Sequence, residues 1–343
     1  MLMRRIQLLH TLSVLLGVVL VACGQQGAPS SGGGSQGGKP GGLRVAMMLP
    51  GPVQDADFNM LGARALDRIK TETGAETTLS ESVSVADAER VAREYLNSGF
   101  NVVLFHGAQY LTIVQKLAPA FSPSRFVIVS SAPASDLPPN VWSIDRKLYR
   151  GFYPLGVLAA SSTKSKKLGY LSGVRLPEFI GALNAMKQGI QDTTPDAQVV
   201  NAFVGDQNDP VKARGAAASQ LNSGVDFIVA TVNLGVNGVA EAVKASPQPA
   251  LFTTFYTGKQ ELAPQHLAGS LLVDFGPPYL QAMREIQQEA KGGVVIEMRP
   301  GSGLELSEIR NVPPEAATKV RAAWDAIASG QKEIHEVNDR VVE

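Results

Sequence analysis

One cysteine, Cys23, occurs among the 343 residues. No internal disulfide can form, so the fold must hold through its core alone. The four histidines (His10, His106, His266, His335) are scattered, and neither His-x-x-x-His nor Cys-x-x-Cys occurs. A dedicated zinc site is therefore not expected. An excess of charge of either sign is missing too. The 31 Lys and Arg balance 31 Asp and Glu, so there is no basic excess of the kind a nucleic-acid partner requires. Aromatic residues make up only 6% of the chain, while Gly and Ala are plentiful; this mix fits closely packed α/β layers more than a β-sandwich. A catalytic arrangement is lacking as well. The Gly-x-Ser-x-Gly at Gly33–Gly37 has no strand before it and no helix after it, as a nucleophile elbow needs. Asp55 and Asp57 flank a turn, where acids serve as solvated turn residues or helix caps rather than as a general acid/base pair. No residue set joins a nucleophile to a base. The chain reads as a binding protein, not an enzyme, with no cofactor and no metal.

The longest apolar run, Ile6–Val21, is short for a membrane-spanning helix, which needs about 20 predominantly apolar residues. Arg4 and Arg5 precede it and small residues follow it, the pattern of a secretory signal peptide over residues 1–22. Leu20-Val21-Ala22-Cys23 resembles the lipobox of bacterial lipoproteins. That resemblance implies cleavage before Cys23 and acylation of its thiol, with stable anchoring once two or more chains are attached. Residues 23–42 are Gly-, Ser- and Gln-rich. They have almost nothing apolar to bury and read as a flexible tether to the membrane. The expected location is the extracytoplasmic face of the cell membrane.

From Leu43 onward, short apolar runs alternate with helical spacing. Leu43–Leu49, Val102–Phe105 and Phe126–Ser130 predict buried strands. Phe58–Thr73, Ala86–Ser98 (Ser84 as N-cap) and Leu111–Phe121 predict helices. The pattern then repeats. Strands are expected at Leu168–Leu171, Val199–Val204, Phe227–Ala230 and Ala250–Thr254. Helices are expected at Tyr149–Ala160, Pro177–Gln191, Pro210–Asn222 (Asp209 as N-cap), Gly238–Ala245 and Pro313–Ser329. The fold class is α/β, two doubly wound parallel-sheet lobes joined by a hinge. Lobe 1 spans residues 43–147, with part of 275–312 returning to it. Lobe 2 spans 148–274, with part of 313–331 returning to a lobe, and 332–343 form a C-terminal tail.

Polar and aromatic residues gather just past the predicted strand ends: Asp55, Asp57, Phe58 and Asn59; His106, Gln109 and Tyr110; Pro177; Asn233; Tyr256 and Thr257. In open parallel sheets these ends line the ligand crevice. Ring faces combined with uncharged amides suit a flat heteroaromatic ligand. For His106 a structural role and a binding role both stay open.

Taken together, the residues resemble the basic membrane protein family of lipoproteins, of the purine-nucleoside-receptor type, which are substrate-binding proteins of ABC importers. The resemblance runs from Leu43 to about Gln331. It is carried by Asp55-Ala56-Asp57-Phe58-Asn59, Asn140-Val141-Trp142-Ser143, Gly156–Ala160, Lys167–Gly173 with Pro177, Gly205–Pro210, Asn237-Gly238-Val239 and Ile327–Gln331. It implies a type I periplasmic-binding fold, a cleft closing on the ligand, and an ABC permease and ATPase as partners. It also implies that Phe58 stacks on a purine while Asn59 contacts the base edge. The chain departs from the family pattern at four places. Asp57 replaces a Ser, and Thr257 stands where an Asp holds ribose. Val273, with Asp274 next to it, stands where a Lys is usual, and an Asp near Gln109 is missing. With the ribose-gripping pair absent, a free base becomes an alternative to a nucleoside, with Tyr256 offering a second ring. Another planar heterocycle such as a flavin, or a signalling lipoprotein using the same fold, are the other readings.

Overall fold

The computed structural model describes residues 42–342. The expected signal peptide, the lipidation residue Cys23 and the tether up to residue 41 lie outside the described residues. Lobe 1 is built from β1 (Arg44–Met48), α1 (Phe58–Thr73), β2 (Glu76–Ser80), α2 (Val85–Asn97), β3 (Val102–Phe105), α3 (Leu111–Ala120), β4 (Arg125–Val129) and β5 (Val141–Asp145). The chain then crosses to lobe 2, which holds α4 (Tyr149–Ser162), β6 (Lys167–Ser172), α5 (Pro177–Thr193), β7 (Gln198–Phe203), α6 (Pro210–Asn222), β8 (Phe227–Thr231), α7 (Val236–Ala245), β9 (Leu251–Tyr256) and β10 (Leu267–Val273). A second crossing returns α8 (Gly276–Gln287) and β11 (Val294–Glu297) to lobe 1. A third brings β12 (Arg299–Pro300), β13 (Gly303–Leu306) and α9 (Pro314–Ala328) to lobe 2.

The two sheets share one topology. Lobe 1 runs β2-β1-β3-β4-β5-β11, every pair parallel. Lobe 2 runs β7-β6-β8-β9-β10 in the same sense, with β13 antiparallel on its edge and the short β12 beside it. In each lobe the strand order reverses between the first strand and its third-strand neighbour, β1/β3 and β6/β8. Crevices open at such reversals in doubly wound sheets.

Both faces of these sheets are covered, and the strands read accordingly. Along β1, Val45 and Met47 pack into one apolar cluster while Ala46 and Met48 pack into another, all fully buried. Ser84 caps α2 by accepting from Asp87 N at 3.2 Å, and Asp209 caps α6 by accepting from the N–H groups of Val211 and Lys212. The C-terminal segment lies along α5, where Asn184 Nδ2 donates to the carbonyls of Val337 and Arg340 and Asn184 Oδ1 accepts from Val342 N.

Helices α4 and α5 approach closely enough that only glycine fits at two points. A Cβ on Gly156 would lie 2.1 Å from the Met186 carbonyl oxygen, and one on Gly189 would lie 2.2 Å from that of Tyr153. Backbone cannot yield as a flexible side-chain tip can. Gly156→Ala is therefore expected to destabilise the protein by roughly 1–3 kcal/mol, the usual range for overpacking, read as a lower denaturant midpoint at unchanged slope.

Candidate functional site at the facing strand ends

The loop after β1 begins with a short turn, Val53–Asp55, and α1 starts at Phe58. Asp55 organises this passage. Its Oδ1 accepts from the N–H groups of Asp57 and Met60, and its Oδ2 accepts from Asn59 N at 2.9 Å and Asn59 Nδ2 at 2.7 Å. Asn59 Oδ1 in turn accepts from Gly51 N. Two expected ligand-binding residues are thus committed to the loop itself. The buried Asp55 carboxylate satisfies free N–H groups at the start of α1, Asn59 ties it to Gly51, and together they fix the passage from which the next side chain projects.

That side chain is Phe58. Its ring stacks on His106, which ends β3, with centroids 4.1 Å apart and planes 24° apart, and it meets Phe275 edge-on. His106 is fully buried. Its Nε2 lies 2.9 Å from the Phe58 carbonyl oxygen, and its Nδ1 lies 2.9 Å from the Tyr279 hydroxyl. A carbonyl only accepts, so Nε2 carries the proton and Nδ1 accepts from Tyr279. Burial pushes the imidazole down to about 3, so it is a neutral platform. His106 thus has a structural role, supporting Phe58. The guanidinium of Arg146 also lies over the Phe58 ring, 5.2 Å from its centroid. Arg146 follows β5 at the first crossing and reaches into lobe 2, donating to the Tyr256 hydroxyl and to Glu178 at the start of α5. Tyr256 closes β9 in the left-handed region, φ +67°, a conformation that costs a non-glycine residue about 1–3 kcal/mol.

The lobes meet most directly at Asp57, which is fully buried. Its Oδ1 accepts from Lys259 Nζ at 2.7 Å and from Thr257 Oγ1 at 2.8 Å, both from the loop after β9. Its Oδ2 is buried with no hydrogen-bond partner among the described residues. Burial pushes the carboxyl up to about 6, Lys259 and Thr257 pull the other way, and Asp55 adds to the rise. Beside this contact lies a cavity of about 590 Å³, within the usual range for small-ligand sites. Lobe 1 lines it with Ala56, Met60 and Arg64; lobe 2 contributes Asn233, Tyr256 and Lys259.

The remaining expected residues are placed as follows. Thr257 and Asp274 line the same cavity, and Asp274 also accepts from Arg68 of lobe 1 at 3.2 Å. Pro177 is exposed at the first position of α5, directly before Glu178. Gln109 is exposed in the loop after β3. Tyr110 is a core residue instead. It is fully buried in lobe 1, its ring is edge-on to Phe105, and its hydroxyl donates to the Val83 carbonyl, so it faces away from the opposing lobe. Arg146, Glu178 and Lys259 were not anticipated. Their only sequence signal is charge beside a strand end or helix start, which is also the signature of an ordinary solvated residue.

Two doubly wound lobes, crossed three times and facing each other across a polar cleft, define the class of type I periplasmic-binding-type proteins. The chain belongs to the Bmp family, described as "ABC transporter substrate-binding protein PnrA-like", whose pattern matches residues 43–299. Among curated relatives it is 29% identical over 189 residues to a purine-binding protein of Brucella abortus (strain 2308), covering 54% of this chain and 53% of that one. The match thus spans about half the length of that relative. It is 27% identical over 249 residues to the CD4+ T-cell-stimulating antigen of Listeria innocua, covering 70% and 68% of the two chains. A solved ABC transporter solute-binding protein from Conexibacter woesei superposes with a TM-score of 0.70 at 24% identity, covering 86% of this chain and 99% of that one, and shows the shared fold.

The Asp57 titration is directly measurable. A ¹³C-detected carboxyl titration is expected to place its midpoint near pH 6. Lys259→Met removes a nearby cation that favours the charged form, so it moves the midpoint higher.

Proposed function

We propose that this protein is the lipid-anchored binding component of an ABC importer, held on the extracytoplasmic face of the cell membrane through Cys23. It captures a purine base or nucleoside between its lobes and presents it to a permease driven by an ATPase. The observation that carries the ligand reading is the Phe58 ring, seated on His106 at the β1/β3 crevice and 6.0 Å from the Tyr256 ring across the cleft. The two rings are tilted by 52° and Arg146 lies over Phe58, so they form a stacking site for a planar heterocycle, with a neutral imidazole beneath, once the lobes part and Arg146 withdraws. The name of the Brucella relative supports a purine.

The mechanism is closure. In the closed arrangement the planar Arg146 guanidinium lies over Phe58, held by Tyr256 and Glu178. When the lobes part, these contacts break and the ring is uncovered; a planar ligand then takes the place of the planar cation. Contacts from both lobes exist only when closed, so the ligand shifts the population toward closure.

Titration calorimetry with adenine, guanine, hypoxanthine and their nucleosides tests the ligand. Saturable heats are expected from at least one, and flat traces throughout would reject the purine assignment. Phe58→Ala is expected to weaken binding by roughly 1–3 kcal/mol through lost stacking. The anchor is tested separately. Cys23→Ser is expected to move the protein from the membrane fraction to the soluble fraction, with loss of the acyl mass from its N-terminal peptide.

A further inference from the structure

The carboxyl group that joins the lobes most deeply uses only one of its two oxygens. Asp57 belongs to lobe 1 and is fully buried. Its Oδ1 carries the whole contact, accepting from Lys259 and Thr257 of lobe 2. Its Oδ2 is buried as well and has no partner among the described residues. Both partners of the carboxyl lie on the opposite lobe, so its burial is a consequence of closure. When the lobes part, both partners leave together and water reaches the group.

Lys259 does not depend on Asp57 being charged. Its Nζ also donates to the Phe255 carbonyl at 3.0 Å and to Thr257 Oγ1 at 2.8 Å, both on its own lobe. A neutral carboxyl still offers Oδ1 as an acceptor. A proton on Oδ2 therefore removes a buried charge and leaves every hydrogen bond of the contact in place. The other groups facing the site do not oppose this. Asp55, in the same loop, holds four N–H groups and adds to the proton affinity of Asp57. On β9, burial pushes the Tyr256 phenol far up, so it stays neutral. His106, under Phe58, is neutral above about pH 3. Arg146, at the first crossing, keeps its charge and is engaged by Glu178. Arg64, Glu261, Asp274 and Glu305 line the adjoining cavity, and none of them bonds to Asp57.

We propose that lobe closure is linked to proton uptake at Asp57: the closed form binds a proton on Oδ2 that the open form releases, so mild acid closes the ligand-free lobes. The sign follows from burial. Closed, the carboxyl is raised from 3.8 to about 6, with burial the main cause. Open, it returns toward the ordinary carboxylate range. The added stability of the closed form is complete below that range and is lost as pH rises through about 6. Above that, the contact holds as a charged pair. This regulation rests on the reading of the cleft as one that opens and closes, and it is independent of which guest binds.

The test is a pulsed-EPR distance measurement on the ligand-free protein. Spin labels are placed at Val85→Cys and Val211→Cys in a Cys23→Ser background. Both valines are exposed, at the starts of α2 in lobe 1 and α6 in lobe 2. The closed-to-open ratio is expected to rise roughly tenfold or more from pH 7.5 to pH 4.5, each unit of difference between the two forms being a factor of ten. Asp57→Asn, neutral at every pH, is expected to abolish the dependence, and Lys259→Met to move it to higher pH. A ratio that is unchanged or falls on acidification with Asp57 present would overturn the proposal. So would a dependence that survives in Asp57→Asn, or one whose midpoint Lys259→Met leaves unmoved. Purine calorimetry is read separately. Flat traces beside acid-driven closure remove the purine reading and leave this proposal standing, whereas saturable binding beside a pH-independent ratio does the reverse.

Discussion

Parallel strands send every carboxyl end to the same edge of a sheet, and in this protein the two such edges face each other. The rest of the arrangement depends on the single contact that joins them most deeply, the Asp57 carboxylate against Lys259 and Thr257. Taking two charges out of water costs several kcal/mol per ion, and their mutual attraction offsets this only when the geometry is good and the remaining lone pairs are satisfied. Here one oxygen accepts two hydrogen bonds and the other has no partner among the described residues, and burial outweighs Lys259 in setting the affinity of Asp57 for a proton. The contact is therefore specific but not strongly favourable. It fixes the register in which the lobes meet without locking them together, which is what the proposed opening and closing requires.

The second inter-lobe connection has a different character. Arg146 stands at a crossing between the lobes and touches both: the Phe58 ring on one side, Tyr256 and Glu178 on the other. A guanidinium is planar, weakly hydrated and able to lie against an aromatic face. It can therefore cover a stacking surface that would otherwise meet water. On the proposed reading, opening exposes that surface and a ligand covers it again, so the energy difference between open and closed forms is set partly by how well a guest replaces Arg146. A guest that does no better than the guanidinium shifts nothing, however large it is.

Much of the fold was legible because its signals are local. Continuous apolar runs gave the strands that are buried on both faces. Ser84 and Asp209 marked helix starts through their own side-chain chemistry, and the starts of α1, α5 and α6 were placed correctly. Strand β10, though apolar, was missed, and most of the rest that escaped was either not apolar or not local. Strand β2 is a half-exposed edge strand reading Glu-Thr-Thr-Leu-Ser, with no run to detect. Strand β5 carries Trp142, Ser143 and Asp145, and its burial comes from α8 and β11, which return much later in the chain. The unanticipated Arg146, Glu178 and Lys259 escaped for the same reason. Asp57 and Lys259 are 202 positions apart, and Arg146 and Tyr256 are 110 apart. No periodicity links them. Tyr110 shows the converse error: an aromatic past a strand end was expected to face the cleft, but the short turn at Ala108–Tyr110 directs its ring back into the lobe core.

On the proposed reading, the division of chemistry between the lobes gives closure its purpose. Near the cleft, lobe 1 supplies the partly buried Phe58 ring, backed by the fully buried His106 and Phe275; a ring face can hold a flat molecule but cannot identify it. Lobe 2 supplies Tyr256, Thr257, Lys259 and Asn233, mostly polar groups that can distinguish one edge from another but offer little area to grip. Neither half is sufficient alone. On the proposed reading, a guest resting on Phe58 in the open form gains stacking and little selectivity, and the polar half adds its contribution only after the hinge swings. Discrimination is thereby tied to the closed form, the form in which both lobes present a joint surface.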